Sequence, residues 1–331
     1  MVEKKSTHRV EVVRVEKVDK HPNADSLSIV HVWGYACVVR TSEFPVGSLA
    51  AYIVPDSIVP LDRPEFAFLK DPKRPDKKAE RIRVRRFRGA LSQGLLLQAP
   101  PGSKEGDDVS DILGVTRYEP PLETTTGGEL ENPPEGLLVP KYDVEDIHRY
   151  PAKFIDGEEI LITEKVHGSN SCFVWYQDRM WVRARHDWRK DDPKSLWWLG
   201  SRSCPEIETW CRAHPGVVVF GECYGKVQNL KYGLENEIKV AVFDIWDHSR
   251  FLDVDEARSV GAGLPWVPTV HRGPYSFGKV VELSAGPSLV PGAKHMQEGV
   301  VVLPVRERTD LELGRVQLKC VSDEYLEKEK Y

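Results

Sequence analysis

Glu164-Lys165-Val166-His167-Gly168-Ser169-Asn170 is the stretch on which this chain turns. The residues before it, Glu159-Ile160-Leu161-Ile162-Thr163, read as a strand, and the glycine marks a turn. A lysine at that junction can be held rigidly. The glycine behind it lets a phosphate approach the backbone. A lysine so placed suits a nucleophile that takes a nucleotide onto itself. It must first lose the proton that a free lysine carries near neutrality. A surface lysine at a strand end would carry the same letters, so the heptapeptide alone leaves both readings open.

Four further stations follow downstream. Phe220-Gly221-Glu222-Cys223-Tyr224-Gly225 continues an apolar strand that begins at Val217, and places Glu222 where a carboxylate can accept ribose hydroxyls. Gln297-Glu298-Gly299-Val300 sets an acid at a strand entrance, suited to a hard cation or its waters. Val316-Gln317-Leu318-Lys319-Cys320 puts a cation, Lys319, in a largely apolar strand, where a phosphate would partner it. Val242-Phe243-Asp244-Ile245 offers an aromatic ring, which outside this series reads as core. Each acid or lysine taken alone also suits a solvated strand position. Their order carries the information.

That order resembles the motif ladder of the covalent nucleotidyltransferases, the ATP-dependent ligases and capping enzymes, over residues 160–325. The histidine before the glycine, followed by Ser-Asn, is most similar to the RNA ligases. The resemblance implies that Lys165 forms lysyl-AMP with ATP, and that Glu222, Glu298 and Lys319 complete the catalytic set. It implies that Glu164, Val166, His167, Gly168, Asn170, Arg185 and Phe243 bind the nucleotide, with Phe243 stacked on adenine. Arg183, two residues from Arg185, is an alternative for the arginine. Glu298 would also be the site of Mg²⁺ or Mn²⁺. Many relatives carry Lys-x-Lys at the last motif; here Gln317 takes the first place.

The front of the chain reads as a small β-barrel. Strands are expected around Val10–Val15, Leu27–Trp33, Tyr35–Val39, Leu49–Val54, Ile82–Val84 and Gly94–Leu97, with a turn cluster at His21-Pro22-Asn23-Ala24-Asp25. An oligonucleotide-binding (OB) barrel fits this pattern, and an SH3-like barrel would read much the same. Residues 119–136 hold four prolines and three glycines. The expected domains are therefore 1–120, a linker at 121–136, and a catalytic domain at 137–331. The expected fold class is α+β: an OB-like barrel followed by a nucleotidyltransferase domain of antiparallel sheets with flanking helices, including helices at 206–212 and 253–260. DNA ligases and capping enzymes append their OB domain after the last motif, whereas twelve residues follow Lys319 here. A barrel in front of the core resembles the Deinococcus-type RNA ligases, and Arg86-Phe87-Arg88-Gly89-Ala90-Leu91-Ser92-Gln93-Gly94-Leu95 is similar to part of their front domain.

Composition sets the outer bounds. With 331 residues, 40% hydrophobic and 29% charged, the chain is an ordinary globular protein with room for two domains. No apolar run has the length of a membrane span, and the N-terminus lacks the core of a secretory signal. Six cysteines without CxxC or Cys-His spacing point to reduced thiols and a cytoplasmic location. Net charge is −5, yet residues 70–88 carry ten Lys/Arg against three acids. That strip, with Arg81, Arg83 and Arg85, is the expected contact to nucleic acid; a solvated edge strand would also be basic. The five tryptophans between Trp181 and Trp210 are expected in the core rather than against bases. The activity so expected joins an RNA 3′-hydroxyl to a 5′-phosphate at a nick in an RNA-containing duplex. The rival expectations are a DNA ligase, a capping-type guanylyltransferase, and an RNA-binding protein with an inactive core.

Overall fold

The computed structural model describes residues 8–119 and 128–328, which fall in two compact units. One unit comprises residues up to 119 together with 148–151 and 326 onward; the other holds the rest. Residues 120–127, within the expected linker, lie outside the described residues. Of the remainder of that stretch, Glu129, Leu130 and Glu131 pair with Trp188–Lys190 of the second unit. Among the described residues no helix is long and apolar enough to cross a membrane.

The first unit is almost all β. Leu49–Ile53 lies between Glu11–Arg14 and Leu95–Gln98 in an antiparallel sheet. Lys17–Lys20, Leu27–Val32 and Tyr35–Arg40 form a meander, and Ser57–Pro60 pairs with Ala79–Arg81 and Thr116–Arg117. Alternation explains the layering. Val13 faces one apolar cluster with Val30, Val39 and Tyr52, while Val12 faces another with Ile53, Phe66 and Leu113. The strand expected at Ile82–Val84 is not one. Ile82 and Val84 are buried in alternation, but the ladder ends at Arg81 and resumes at Arg85–Phe87, which forms a ribbon with Ala90–Ser92.

The second unit is built from two five-stranded sheets. The first runs in the order Glu145–Asp146, Leu318–Val321, Gly299–Pro304, Glu159–Glu164, Thr269–Pro274. The second runs Trp188–Arg189, Arg179–Arg183, Ser169–Tyr176, Val218–Gly225, Ile238–Trp246. All pairings are antiparallel except the short edge strand Glu145–Asp146. The helices Leu196–Ser203 and Pro205–Ala213 supply Leu196, Trp197, Ile207 and Trp210 to one face of the second sheet, against Phe173, Val219 and Val240. Its opposite face packs Val174, Phe220 and Trp246 against Leu137 and Tyr142. The chain passes from the first sheet to the second through Lys165–Gly168, so the central heptapeptide is a crossing between sheets.

Candidate active site

Backbone bonds fix the crossing before any side chain acts. Glu164 N donates to Pro268 O at 2.9 Å and Lys165 N to Gly299 O at 2.9 Å. His167 N donates to the Tyr232 hydroxyl at 2.6 Å. Gly168 accepts the Gln228 side-chain amide at 2.9 Å. The glycine has a steric reason of its own: a Cβ there would stand 2.0 Å from the carbonyl oxygen of Cys223. Gly299 is similar, its Cβ position lying 2.2 Å from Cys320 O. Glycine thus lets neighbouring strands close around the lysine, a different task from admitting phosphate.

Lys165 Nζ lies 2.6 Å from Glu298 Oε1, and His167 Nδ1 lies 3.0 Å from Glu298 Oε2. The carboxylate accepts from both, leaving the buried His167 Nε2 with no hydrogen-bond partner among the described residues. Burial alone would push the Glu298 carboxyl up; Lys165 and His167 outweigh it and hold it at about 2. Glu222 approaches from the second sheet. Burial, opposed by Lys165 and reinforced by Glu298, pushes its carboxyl up to about 8. Two carboxyls around one lysine are thus driven apart, one ionised and one protonated at neutral pH.

The other sequence candidates divide. Asn170 sits opposite Glu222 in the ladder. Val166 is buried with Tyr232, Ala241, Val267 and Val290, and Phe243 packs against that cluster while its ring lies 4.8 Å from that of Tyr142. Lys319 pairs with Val301, which pairs with Thr163. Strand alternation therefore puts Lys319 on the face of the first sheet that Lys165 continues. Glu164 is turned away from this cluster of charges: it accepts Ser288 Oγ at 2.6 Å and Leu289 N at 2.7 Å, and burial raises its pKa despite both bonds. It anchors the 286–292 loop.

The two candidate arginines differ in burial. Arg183 is buried, donates to Val139 O and Pro140 O, and stays in the fold. Arg185 is half-exposed, pairs with Asp143, and its charge acts to lower the Glu222 pKa. In the first unit Arg81 is also committed: it is buried, bonds Asp56 Oδ1 at 2.8 Å and lies 3.7 Å over the Tyr118 ring. A buried, doubly engaged guanidinium is not placed to meet a polyanion. Arg85 is exposed and held only loosely, 3.7 Å from Glu80, and Arg83 is intermediate. Trp181, Trp188, Trp197, Trp198 and Trp210 are all core.

One cluster escaped the sequence reading. Gln317 donates to Tyr142 Oη at 2.6 Å and accepts from Arg315 Nη1 at 3.2 Å. Tyr142 donates to Asp244 Oδ2 at 2.8 Å, and Arg315 bonds Asp244 at 2.5 Å and Glu307 at 2.8 Å. Burial would lower the Arg315 pKa, but Asp244 and Glu307 hold it well above the usual value. A lysine at 317 would face this guanidinium. Nothing in the neighbouring residues announces the network, since Gln317 and Tyr142 are 175 residues apart.

Among the described residues no group of three or more His, Cys, Asp or Glu gathers to cage a metal. One or two carboxylates with phosphate and water is nonetheless the usual set for Mg²⁺, and Glu298, held ionised, is a carboxylate of that kind.

Comparison with known proteins decides the family. The RNA ligase family model matches residues 158–321, and an OB-fold domain model matches residues 9–99. Residues 158–321 form an RNA ligase family domain. Its ligase domain follows an OB-fold domain, the order that the resemblance implied. Solved structures agree in fold. Naegleria gruberi RNA ligase with PPi is 24% identical, with a TM-score of 0.81 covering 98% of this chain and 99% of that one. A lysine-to-alanine variant of the same enzyme, with ATP and Mn, gives 24% and 0.81 over 97% and 98%. A glutamate-to-alanine variant with AMP and Mn gives 24% and 0.81 over 97% and 99%. No curated protein matches the sequence.

Proposed function

We propose that this RNA ligase uses ATP to join an RNA 3′-hydroxyl to a 5′-phosphate at nicks in RNA-containing duplexes, with Lys165 as the nucleophile. Lys165 first gives up its ammonium proton to solvent as it leaves its ion pair with Glu298; the amine then attacks the α-phosphorus, a P–N bond forms as the bond to pyrophosphate breaks, and a second N–H proton passes to solvent to leave the phosphoramidate. AMP then passes to the 5′-phosphate, returning the lysine and forming a 5′–5′ pyrophosphate. The 3′-hydroxyl attacks that 5′-phosphate, loses its proton and expels AMP. Each step is a displacement at phosphorus, so positioning and charge stabilisation set the rate.

One observation carries this reading: Lys165 Nζ is held 2.6 Å from Glu298, which also holds His167, while Glu222 stands opposite Asn170 on the second sheet and its carboxyl is pushed up toward the protonated form. A protonated carboxyl both donates and accepts, which suits ribose hydroxyls. Phe243 would stack on adenine, and Lys319 would serve phosphate from the same sheet face as Lys165. Glu298 would hold Mg²⁺ or Mn²⁺, which when bound neutralises phosphate charge. The matches of the Naegleria enzyme with ATP, AMP, PPi and Mn support ATP and a divalent metal. Six buried, unpaired cysteines support a cytoplasmic location.

Intact mass after incubation with ATP and Mg²⁺ or Mn²⁺ tests the first step. The wild type gains one AMP and Lys165→Ala gains none. A gain with GTP in place of ATP would indicate a capping-type enzyme. No gain with either, on protein freed of bound nucleotide, would leave an RNA-binding protein with a silent core. Sealing assays on RNA and DNA ends then separate RNA ligase from DNA ligase.

A further inference from the structure

Two sequence features that the ligation chemistry leaves unused meet in the first unit. One is the turn cluster His21-Pro22-Asn23; the other is the ribbon of Arg85–Phe87 and Ala90–Ser92. The buried His21 accepts the Asn23 amide proton at Nδ1, 3.0 Å, so its Nε2 donates to Phe87 O at 2.9 Å. Asn23 Nδ2 donates to Arg88 O at 3.0 Å. The far strand is tied as well: Ser92 Oγ accepts Val38 N at 3.0 Å and Gln93 Oε1 accepts Ala36 N at 3.1 Å. A two-stranded ribbon has little stability of its own, and here its backbone is clamped from both sides.

The side chains so displayed face solvent. Arg85, Arg86, Phe87 and Arg88 are all exposed. Their partners are sparse: Arg85 lies 3.7 Å from Glu80, Arg86 lies 3.0 Å from Glu327, and Arg86 also reaches Gly89 O at 3.3 Å. The tip turns through Arg88 (φ 47°) and Gly89 (φ 91°), the two-residue turn with both angles positive that usually begins with Asn, Asp or Gly. An arginine there adopts a left-handed backbone at some cost, which marks its side chain as wanted.

We infer that this clamped ribbon is a contact for the polynucleotide substrate, in which Arg85, Arg86 and Arg88 meet the phosphate backbone and the Phe87 ring stacks on the face of the terminal base that is uncovered when the duplex opens at the nick. The inference rests on the ligase reading for its partner and goes beyond it in assigning Phe87, Arg86 and Arg88 as ligand contacts and His21 and Asn23 as positioning residues. Three guanidinium groups around one exposed aromatic match a polyanion with a free base face; duplex interior offers no such face.

The test is fluorescence anisotropy of the full chain with a labelled nicked RNA duplex, across a salt series, beside thermal melts. Phe87→Ala weakens binding about tenfold, the typical effect of losing one base–aromatic stack, at an unchanged melting temperature. Arg88→Ala lowers the slope of log affinity on log salt by about one, as for one lost phosphate contact. His21→Ala weakens binding without removing any displayed side chain, and His21→Asn or His21→Gln restores part of it if either reaches Phe87 O. Unchanged affinity in Phe87→Ala and unchanged salt slope in Arg88→Ala overturn the inference. The AMP-adduct assay on the wild type is separate: its failure removes the ligase reading, whereas an adduct with indifferent ribbon variants removes only the ribbon.

Discussion

Replacing Glu222 by Gln removes one ionisation while keeping the shape and the hydrogen-bonding atoms of the protonated side chain. Burial holds the Glu222 carboxyl at about 8 in the folded chain, against an ordinary value of 4.5. Below pH 4.5 both folded and unfolded chains are protonated there, and the residue costs nothing. As pH rises from 4.5 to 8 the unfolded chain gives up its proton and the folded chain keeps it, so stability falls. Above 8 both are ionised and the loss is complete. At 1.36 kcal/mol per pH unit the full loss is at most about 4–5 kcal/mol, and solvent reaching the half-buried carboxyl trims it to about 2–4. Gln at 222 abolishes the loss. Thermal melts of both proteins between pH 5 and 9, at fixed salt, read the difference. Melting temperatures nearly coincide at pH 5 and separate toward pH 8, with Glu222→Gln higher by about 4–8 °C at roughly 2 °C per kcal/mol. Above pH 8 the gap stays constant. Parallel profiles across the range would falsify the assignment of a half-buried, protonated Glu222.

Two further outcomes follow from the site. Gly168→Ala sets a methyl against the Cys223 carbonyl, 2.0 Å from its ideal position, and is expected to cost about 3 kcal/mol or more and to abolish the AMP adduct; a wild-type melting temperature would contradict the close approach. Gln317→Lys brings a second cation to buried Arg315 and is expected to cost about 2–3 kcal/mol, read as a lower melting temperature. A faster adduct without loss of stability would show instead that the site lacks a cation.

What the sequence made legible was residue type at strand ends. Lys165, Glu222 and Glu298 stand where apolar runs meet glycines, and such junctions are visible letter by letter. The Leu27–Val32 and Tyr35–Arg40 hairpin was legible for the same reason, since alternation and Gly34 are local. Partnership was not. Glu164 reads as a neighbour of Lys165, yet its partners Ser288 and Leu289 lie 124 and 125 residues on. Arg81 and Arg85 have the same letter in the same strip, and only burial beside Asp56 separates them. Ile82-Arg83-Val84 has a strand's alternation without a strand's ladder, because Ile82 bonds Asp56 and Ser57 singly where the chain bends. Gly168 was legible as a glycine but not for its reason, which is a carbonyl 55 positions away in sequence.

The crossing at Lys165–Gly168 makes the site a caliper. One jaw, the first sheet, carries Lys165, Glu298 and Lys319; the other carries Asn170, Glu222 and Phe243. The gap between the jaws is set by what fills the space behind them, including Val166, Tyr232, Ala241, Val267 and Val290. A methylene added or removed in that filling alters no charge, yet it resets the distance between Lys165 on one jaw and Glu222 and Phe243 on the other. Close-packed interiors transmit such changes rather than absorb them. Nucleotide affinity in this chain should therefore be tunable from its core, by apolar substitutions that a search confined to polar residues would never sample.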